Sequence, residues 1–392
     1  MDLLTFLPIF VLSFIATVLF TPWVGKLANM FDVIQYPPSE HLKRLPETMP
    51  SKKVSATTLE AKIIAARRRL EKHPMANWGG IAYITPFIVI SISTLLLSKT
   101  INISPEEVNN YIFWFFGIII LFAMGVIDDK YELTGKTQIM FQMLAAFLFV
   151  LSPIDLDFLT NPFTGMPLII RASEFTAQFG GVLLSISLPG DIFLFLWILV
   201  LINAIKWQGG TDALMEGNVF IALIIIFVVS FMFTQPASAL FSITLAGSLL
   251  GFIVYNFYPA KIMSASAGKT VVGFIVATLA IISNAKFAIS LIVFAIPLID
   301  MFWVLVKRVI DYKPKSLFQL MLISDRSHFH HKLMKLGLNE PQIAIFEYTI
   351  TAVLGCLAIF LQGTQKTVFV VIAWALVFLI ILYVTLKTND KR

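Results

Sequence analysis

The sequence predicts an all-α integral membrane protein, a polytopic bundle of about eleven transmembrane helices at roughly 20 residues per span. Three observations carry this. The hydrophobic set makes up 58% of the 392 residues and only 13% are charged, whereas a soluble domain is about half apolar and about a quarter charged. Mean hydropathy is +0.86. Apolar stretches long enough to cross hydrocarbon also recur from one end of the chain to the other. A soluble enzyme and a disordered chain are excluded, and residues 1–392 read as one integral membrane domain. Cys356 is the only cysteine, which rules out an intramolecular disulfide or a thiolate metal cluster.

The expected spans run Leu3–Phe20, Gly80–Leu97, Tyr111–Ile127, Ile139–Leu151, Ile192–Ile205, Val219–Phe233, Ala237–Tyr255, Val271–Ile282, Ala288–Val306, Tyr348–Leu361 and Val368–Leu386. The first is read as retained, since Asp2 replaces a basic n-region and Pro22-Trp23 follows without a small-residue cleavage site. Basic residues set the orientation. With the N-terminus outside, 25 of the 29 Lys and Arg fall on inner loops and the tail, and Lys99, Arg171, Lys286 and Lys366 remain outside. That asymmetry places the C-terminus and the polar motifs in the cytoplasm. The net charge of +6 is accounted for by those loops, and no nucleic-acid partner is expected.

Two connections are long. The outer loop 152–190 mixes β-branched and aromatic residues around Gly180-Gly181 and suits a small hairpin. The inner segment 39–75 holds a basic amphipathic stretch, Thr57–His73, with Leu59, Ile63, Ala66 and Leu70 opposite Lys62, Arg67, Arg68 and Lys72. Such a face is expected to lie on the membrane lipids, with a solvated charged linker as the alternative reading.

Polar residues abutting spans cost energy there and mark candidate chemistry. The third span ends in Asp128-Asp129-Lys130. Two adjacent carboxylates at the negative pole of a helix repel each other; a divalent cation relieves that cost, and so does plain solvation as capping residues. The fifth span ends in Asn203 and Lys206, followed by Gln208-Gly209-Gly210-Thr211-Asp212, where the glycines admit close backbone approach to a ligand or simply pack a loop. After the seventh span come Asn256-Phe257-Tyr258-Pro259-Ala260-Lys261 and Ser264-Ala265-Ser266-Ala267-Gly268-Lys269, a small-residue loop whose N–H groups suit phosphate or ordinary turn formation. Three of the five histidines lie in Ser327-His328-Phe329-His330-His331. They are open to metal ligation, acid–base work or anion binding.

Taken in order, Gly79-Gly80-Ile81, GVIDDKYELTGKTQ, NAIKWQGGTDAL, NFYPAKI, PLID with Asp300, and DRSHFHHKL resemble the polyprenyl-phosphate N-acetylhexosamine-1-phosphate transferases. The match runs from about Trp78 to Gly337, and HFHH is similar to the branch that starts O-antigen, enterobacterial common antigen or teichoic-acid linkage units. The resemblance implies transfer of N-acetylhexosamine 1-phosphate from a UDP-N-acetylhexosamine to polyprenyl (undecaprenyl) phosphate, with release of UMP. It implies Mg2+ as cofactor, with Asp128, Asp129 and Asp212 as its ligands. Asp128 and Asp129, with His328, His330 and His331, would be catalytic or would bind the diphosphate and sugar. Asn203, Asp212, Asn256, Lys136 and Lys72 would bind substrate, and a homodimer is compatible.

The chain departs from that pattern at defined positions. The family has a second Asn at Lys206, Asp at Gly209 and Gly at Ala213, and it reads Gly-Asp at Ala265-Ser266. Ser266 stands where the family carries a metal-ligating aspartate. The runner-up reading is therefore a catalytically degenerate homologue that binds lipid phosphate or nucleotide sugar as a scaffold or regulator.

Overall fold

The computed structural model describes residues 2–35, 75–97, 101, 103, 105–154, 158–160, 167–169, 171–179, 182–283, 287–316, 319–320, 323, 327–361 and 363–389. Helices dominate: α1 (Leu3–Met30), α2 (Gly79–Leu97), α3 (Pro105–Asn110), α4 (Ile112–Tyr131), α5 (Gly135–Val150), α6 (Gly190–Gln208), α7 (Leu214–Met232), α8 (Pro236–Asn256), α9 (Ala265–Ile282), α10 (Ala288–Val293), α11 (Ala295–Tyr312), α12 (Phe329–Lys335), α13 (Glu340–Phe360) and α14 (Gly363–Asn389). The amphipathic stretch Thr57–His73, and Lys72 with it, lies outside the described residues.

The expectation of about eleven spans is adjusted. Among the described residues nine helices are long and apolar enough to cross a membrane. The fourth expected span is the 16-residue α5, short of the roughly 20 residues a span takes. The ninth is divided at Phe294 into α10 and α11. Pro297 lacks the N–H that would bond back to Val293, so the ladder breaks there. α11 also carries Asp300, Lys307, Arg308 and Asp311. Several helices start earlier than the apolar runs predict, among them α7 at Leu214, α9 at Ala265 and α13 at Glu340. Ser266 and Lys269 thus belong to the first turns of a helix and not to a loop.

The hairpin expected within 152–190 is present as β5 (Arg171–Phe179) paired antiparallel with β6 (Val182–Pro189), beside a smaller pair, β3 (Phe158–Thr160) and β4 (Pro167–Ile169). A third two-stranded element pairs β1 (Ile34–Gln35) with β2 (Met75–Ala76).

α8 and α9 are the most enclosed helices, while α1 and α14 are mostly outward-facing. Outward side chains are large and apolar, including Leu4 at 71%, Leu97 at 80% and Phe360 at 81% exposure. A belt of that kind is stable against lipid tails and not against water. Inside, buried polar groups close on one another: Trp114 Nε1 donates to Thr278 Oγ1 at 2.7 Å and the hydroxyls of Ser230 and Ser238 meet at 2.9 Å.

Backbone contact fixes one end of α9. Gly79 N–H donates to Met263 O at 2.8 Å and Gly80 N–H to Ser264 O at 3.0 Å, beyond a parallel bridge between Ala76 and Ile262. A Cβ on Gly80 would stand 2.1 Å from Gly268 N, and one on Gly125 2.4 Å from Ala267 Cα. Only glycine lets α2 and α4 press this closely on the α9 start.

Candidate active site

Four polar segments meet at this end of the bundle. The loop between α6 and α7 is tied to the one between α8 and α9 by two side chains. Asn256 accepts from Ala213 N–H at 3.0 Å and donates to Ile262 O at 2.8 Å, while Asp212 Oδ2 accepts from Ala260 N–H at 2.9 Å. Both residues are expected in the substrate site, and both brace its walls. Burial pushes the Asp212 carboxyl above its ordinary range, with the Ala260 N–H acting in the opposite sense.

The paired aspartates point to different partners. Asp128 is buried and accepts from Gln138 Nε2 at 2.8 Å; the same Gln138 accepts through Oε1 from Lys206 Nζ. Asp129 accepts from the backbone N–H groups of Ser266 at 2.7 Å and Ala267 at 3.2 Å. It caps the positive N-terminus of α9 from a residue 137 positions away in sequence. The N–H groups that the sequence offers to a phosphate are thus held by the chain's own carboxylate. Asn203 is buried and donates to Gln142 Oε1 at 2.9 Å and Leu199 O at 2.8 Å. Lys136 is exposed in the first turn of α5, whose N-cap is Thr134.

Two residues join the site that the motif reading leaves out. Lys269 Nζ donates to Gly209 O at 2.5 Å and lies within electrostatic reach of Asp129 and Glu216. Glu216 is 2% exposed and hydrogen-bonds Ser264, whose hydroxyl is 2.5 Å from Tyr83 Oη. The available signal was an acidic residue, the only charged one, in the first turn of a 19-residue apolar-rich helix, a position that needs a partner. Gln138 likewise gave no sign in sequence that it links Asp128 to Lys206.

The histidines sit across the glycine pair. Asp300 binds twice, with Oδ2 2.9 Å from His328 Nδ1 and Oδ1 accepting from Phe329 N–H at 2.7 Å. His328 stacks nearly parallel on His330 with ring centres 5.8 Å apart, and His331 lies 4.3 Å beyond. Trp207 packs edge-on to His328 at 5.6 Å, under the Arg308 guanidinium at 4.7 Å. His330 is 2% exposed, and its Nε2 has no hydrogen-bond partner. That nitrogen is 2.8 Å from where a Cβ on Gly210 would be, so Gly210 is what makes room for it. Burial, then the neighbouring His331, His328 and Lys269, holds His330 well below its ordinary value and keeps it neutral.

Magnesium needs hard oxygen ligands aimed at one point. Asp128, Asp129 and Asp212 are aimed at Gln138, the α9 N-terminus and Ala260. No group of three or more His, Cys, Asp or Glu able to hold a metal occurs among the described residues. With Lys206 and Lys269 set among these carboxylates, the donor set does not fit a protein-held divalent ion.

The family model described as Glycosyl transferase family 4 matches residues 111–284. Over 283 residues the chain is 27% identical to the probable undecaprenyl-phosphate N-acetylglucosaminyl 1-phosphate transferase of Bacillus subtilis (strain 168), covering 70% of this chain and 73% of that protein. It is 26% identical over 326 residues to the decaprenyl-phosphate N-acetylglucosaminephosphotransferase of Mycobacterium leprae (strain TN), 75% of each. It is 24% identical over 303 residues to the phospho-N-acetylmuramoyl-pentapeptide-transferase of Staphylococcus carnosus (strain TM300), 74% of this chain and 86% of that one.

Proposed function

We propose that the chain, whose residues 111–284 match the Glycosyl transferase family 4 model and which is similar to polyprenyl-phosphate hexosamine-1-phosphate transferases, is a phosphoglycosyltransferase that moves N-acetylhexosamine 1-phosphate from a UDP-sugar to polyprenyl phosphate. The observation that carries this reading is the convergence of Lys269 and His330 on Gly209-Gly210, with Lys206, just before that pair in sequence, linked through Gln138 to Asp128. An oxygen of the polyprenyl phosphate attacks the sugar-bearing phosphorus, its bond to the UMP oxygen breaks, and UMP departs. Both reactants are anionic, so transfer depends on positive groups held in place before the substrates arrive.

The chain supplies such groups on one side and hydrogen-bonding imidazoles on the other. His330, neutral and with a free Nε2, offers a hydrogen bond to donor or sugar without desolvating a charge. Asp300 fixes the ring orientation of His328. The 25-of-29 distribution of basic residues supports a plasma-membrane setting with the site at the cytoplasmic face and the N-terminus outside.

The test is UMP release by purified protein in detergent, across a panel of UDP-N-acetylhexosamines, with and without polyprenyl phosphate. Release that requires both substrates supports the reading. Binding of either substrate without release under every condition favours the scaffold, to which the carboxylate losses at Gly209 and Ser266 point.

A further inference from the structure

Charge has been exchanged in this site. The resemblance expects carboxylates at 209 and 266 and an amide at 206; the chain has Gly209, Ser266 and Lys206, with Lys269 one helical turn beyond Ser266. Lys269 occupies the space a side chain at 209 would need. Lys269 reaches the carbonyl of Gly209 itself, and its stem is so close that a Cβ at 209 would stand 2.3 Å from Lys269 Cε. An aspartate at 209 and this placement of Lys269 cannot coexist. Lys206 is anchored by Gln138, which in turn holds Asp128.

We propose that the ammonium groups of Lys206 and Lys269, tethered by the chain, supply the positive charge that offsets the donor diphosphate, in place of a protein-held divalent ion. The inference rests on the phosphosugar-transfer reading. An ammonium has three N–H donors. Lys269 spends one on Gly209 and Lys206 one on Gln138, which leaves donors on each for phosphate oxygens. Glu216 and Asp129 lie within electrostatic reach of Lys269. A dication placed among these groups would be repelled by both ammoniums, and each Asp129 oxygen already accepts a hydrogen bond from the α9 backbone. A point charge on a flexible stem suits phosphate in this role.

The experiment measures UMP release in EDTA and in excess magnesium, together with Mn2+ binding by electron paramagnetic resonance on the protein without UDP-sugar. Expected are turnover little changed by EDTA, no stoichiometric Mn2+ binding, and a loss of about 100-fold or more in both Lys206→Met and Lys269→Met. Ser266→Asp combined with Lys269→Ala should gain Mn2+ binding, a readout that needs no activity. Turnover abolished by EDTA and restored by magnesium, with stoichiometric Mn2+ binding, would overturn the lysine assignment and leave the transferase reading standing. Absence of UMP release from every donor, with and without magnesium, would overturn both.

Discussion

Lys269 donates its ammonium to the backbone carbonyl of Gly209 across 2.5 Å, joining the first turns of α9 to the glycine pair that His330 approaches from the other side. A cation and a neutral imidazole therefore meet at two consecutive residues, Gly209 and Gly210. The glycines serve packing here: each replaces a Cβ that would collide with a functional side chain. Gly209→Ala and Gly210→Ala are accordingly expected to cut UMP release, Gly209→Ala by displacing Lys269 and Gly210→Ala by displacing His330. Full activity in both would show that neither contact is used.

The two aspartates of the pair should separate in their effects. Asp129→Ala removes the cap from the α9 N-terminus and should lower stability by about 1 to 2 kcal/mol, visible as earlier thermal unfolding in detergent. Asp128→Asn can still accept from Gln138 and should unfold like the wild type while losing transfer. Equal stability losses in the two variants would contradict the division of roles.

Ala213 and Ala265 hold left-handed backbone at φ 54° and 52°, at the two positions where the resemblance expects glycine. A side chain costs about 1 to 2 kcal/mol in that region, and the extra freedom of an unfolded glycine takes back about 0.5 to 1. Ala213→Gly and Ala265→Gly should each stabilise by a few tenths to about 1 kcal/mol on that balance, measured by thermal unfolding. A drop in melting temperature for both would show that the strain is relieved elsewhere.

His330 gives stability a pH dependence of known sign. Its folded value lies well below the ordinary 6.5, so the unfolded chain binds a proton that the folded chain refuses. Its contribution is fully present above about 6.5 and is lost as pH falls from there toward the depressed folded value. His330→Gln should flatten the fall in melting temperature over that acidic interval, and an unchanged slope would place the titration elsewhere.

Topology can be read by thiol labelling in a Cys356→Ser background. Glu174, Lys261 and Lys313 are all exposed. Cysteine at Glu174, on β5, should react with a membrane-impermeant reagent in intact cells, and cysteines at Lys261 and Lys313 only after permeabilisation. The reverse pattern would invert the orientation.

The sequence by itself determined the membrane class, the order of the apolar segments, the hairpin within 152–190 and the four polar segments of the candidate site, because hydropathy, turn residues and charge are local properties. It could not determine where those segments point. Whether Asp129 serves a ligand or a helix end depends on the start of α9 lying against it, a contact made possible by glycines at 80 and 125. Gln138 links Asp128 to Lys206, Glu216 is drawn to Ser264, and His330 Nε2 is left without a partner only once distant helices are packed. The α10–α11 break and the early start of α9 also escaped an apolar-run reading, since Pro297 interrupts hydrogen bonding without interrupting hydropathy and small polar residues in a first turn do not look apolar. Local composition fixed which residues are present at the site. Their protonation, partners and ability to hold a metal were decided by which backbone N–H groups and ammoniums the tertiary structure put within about 3 Å of each carboxylate.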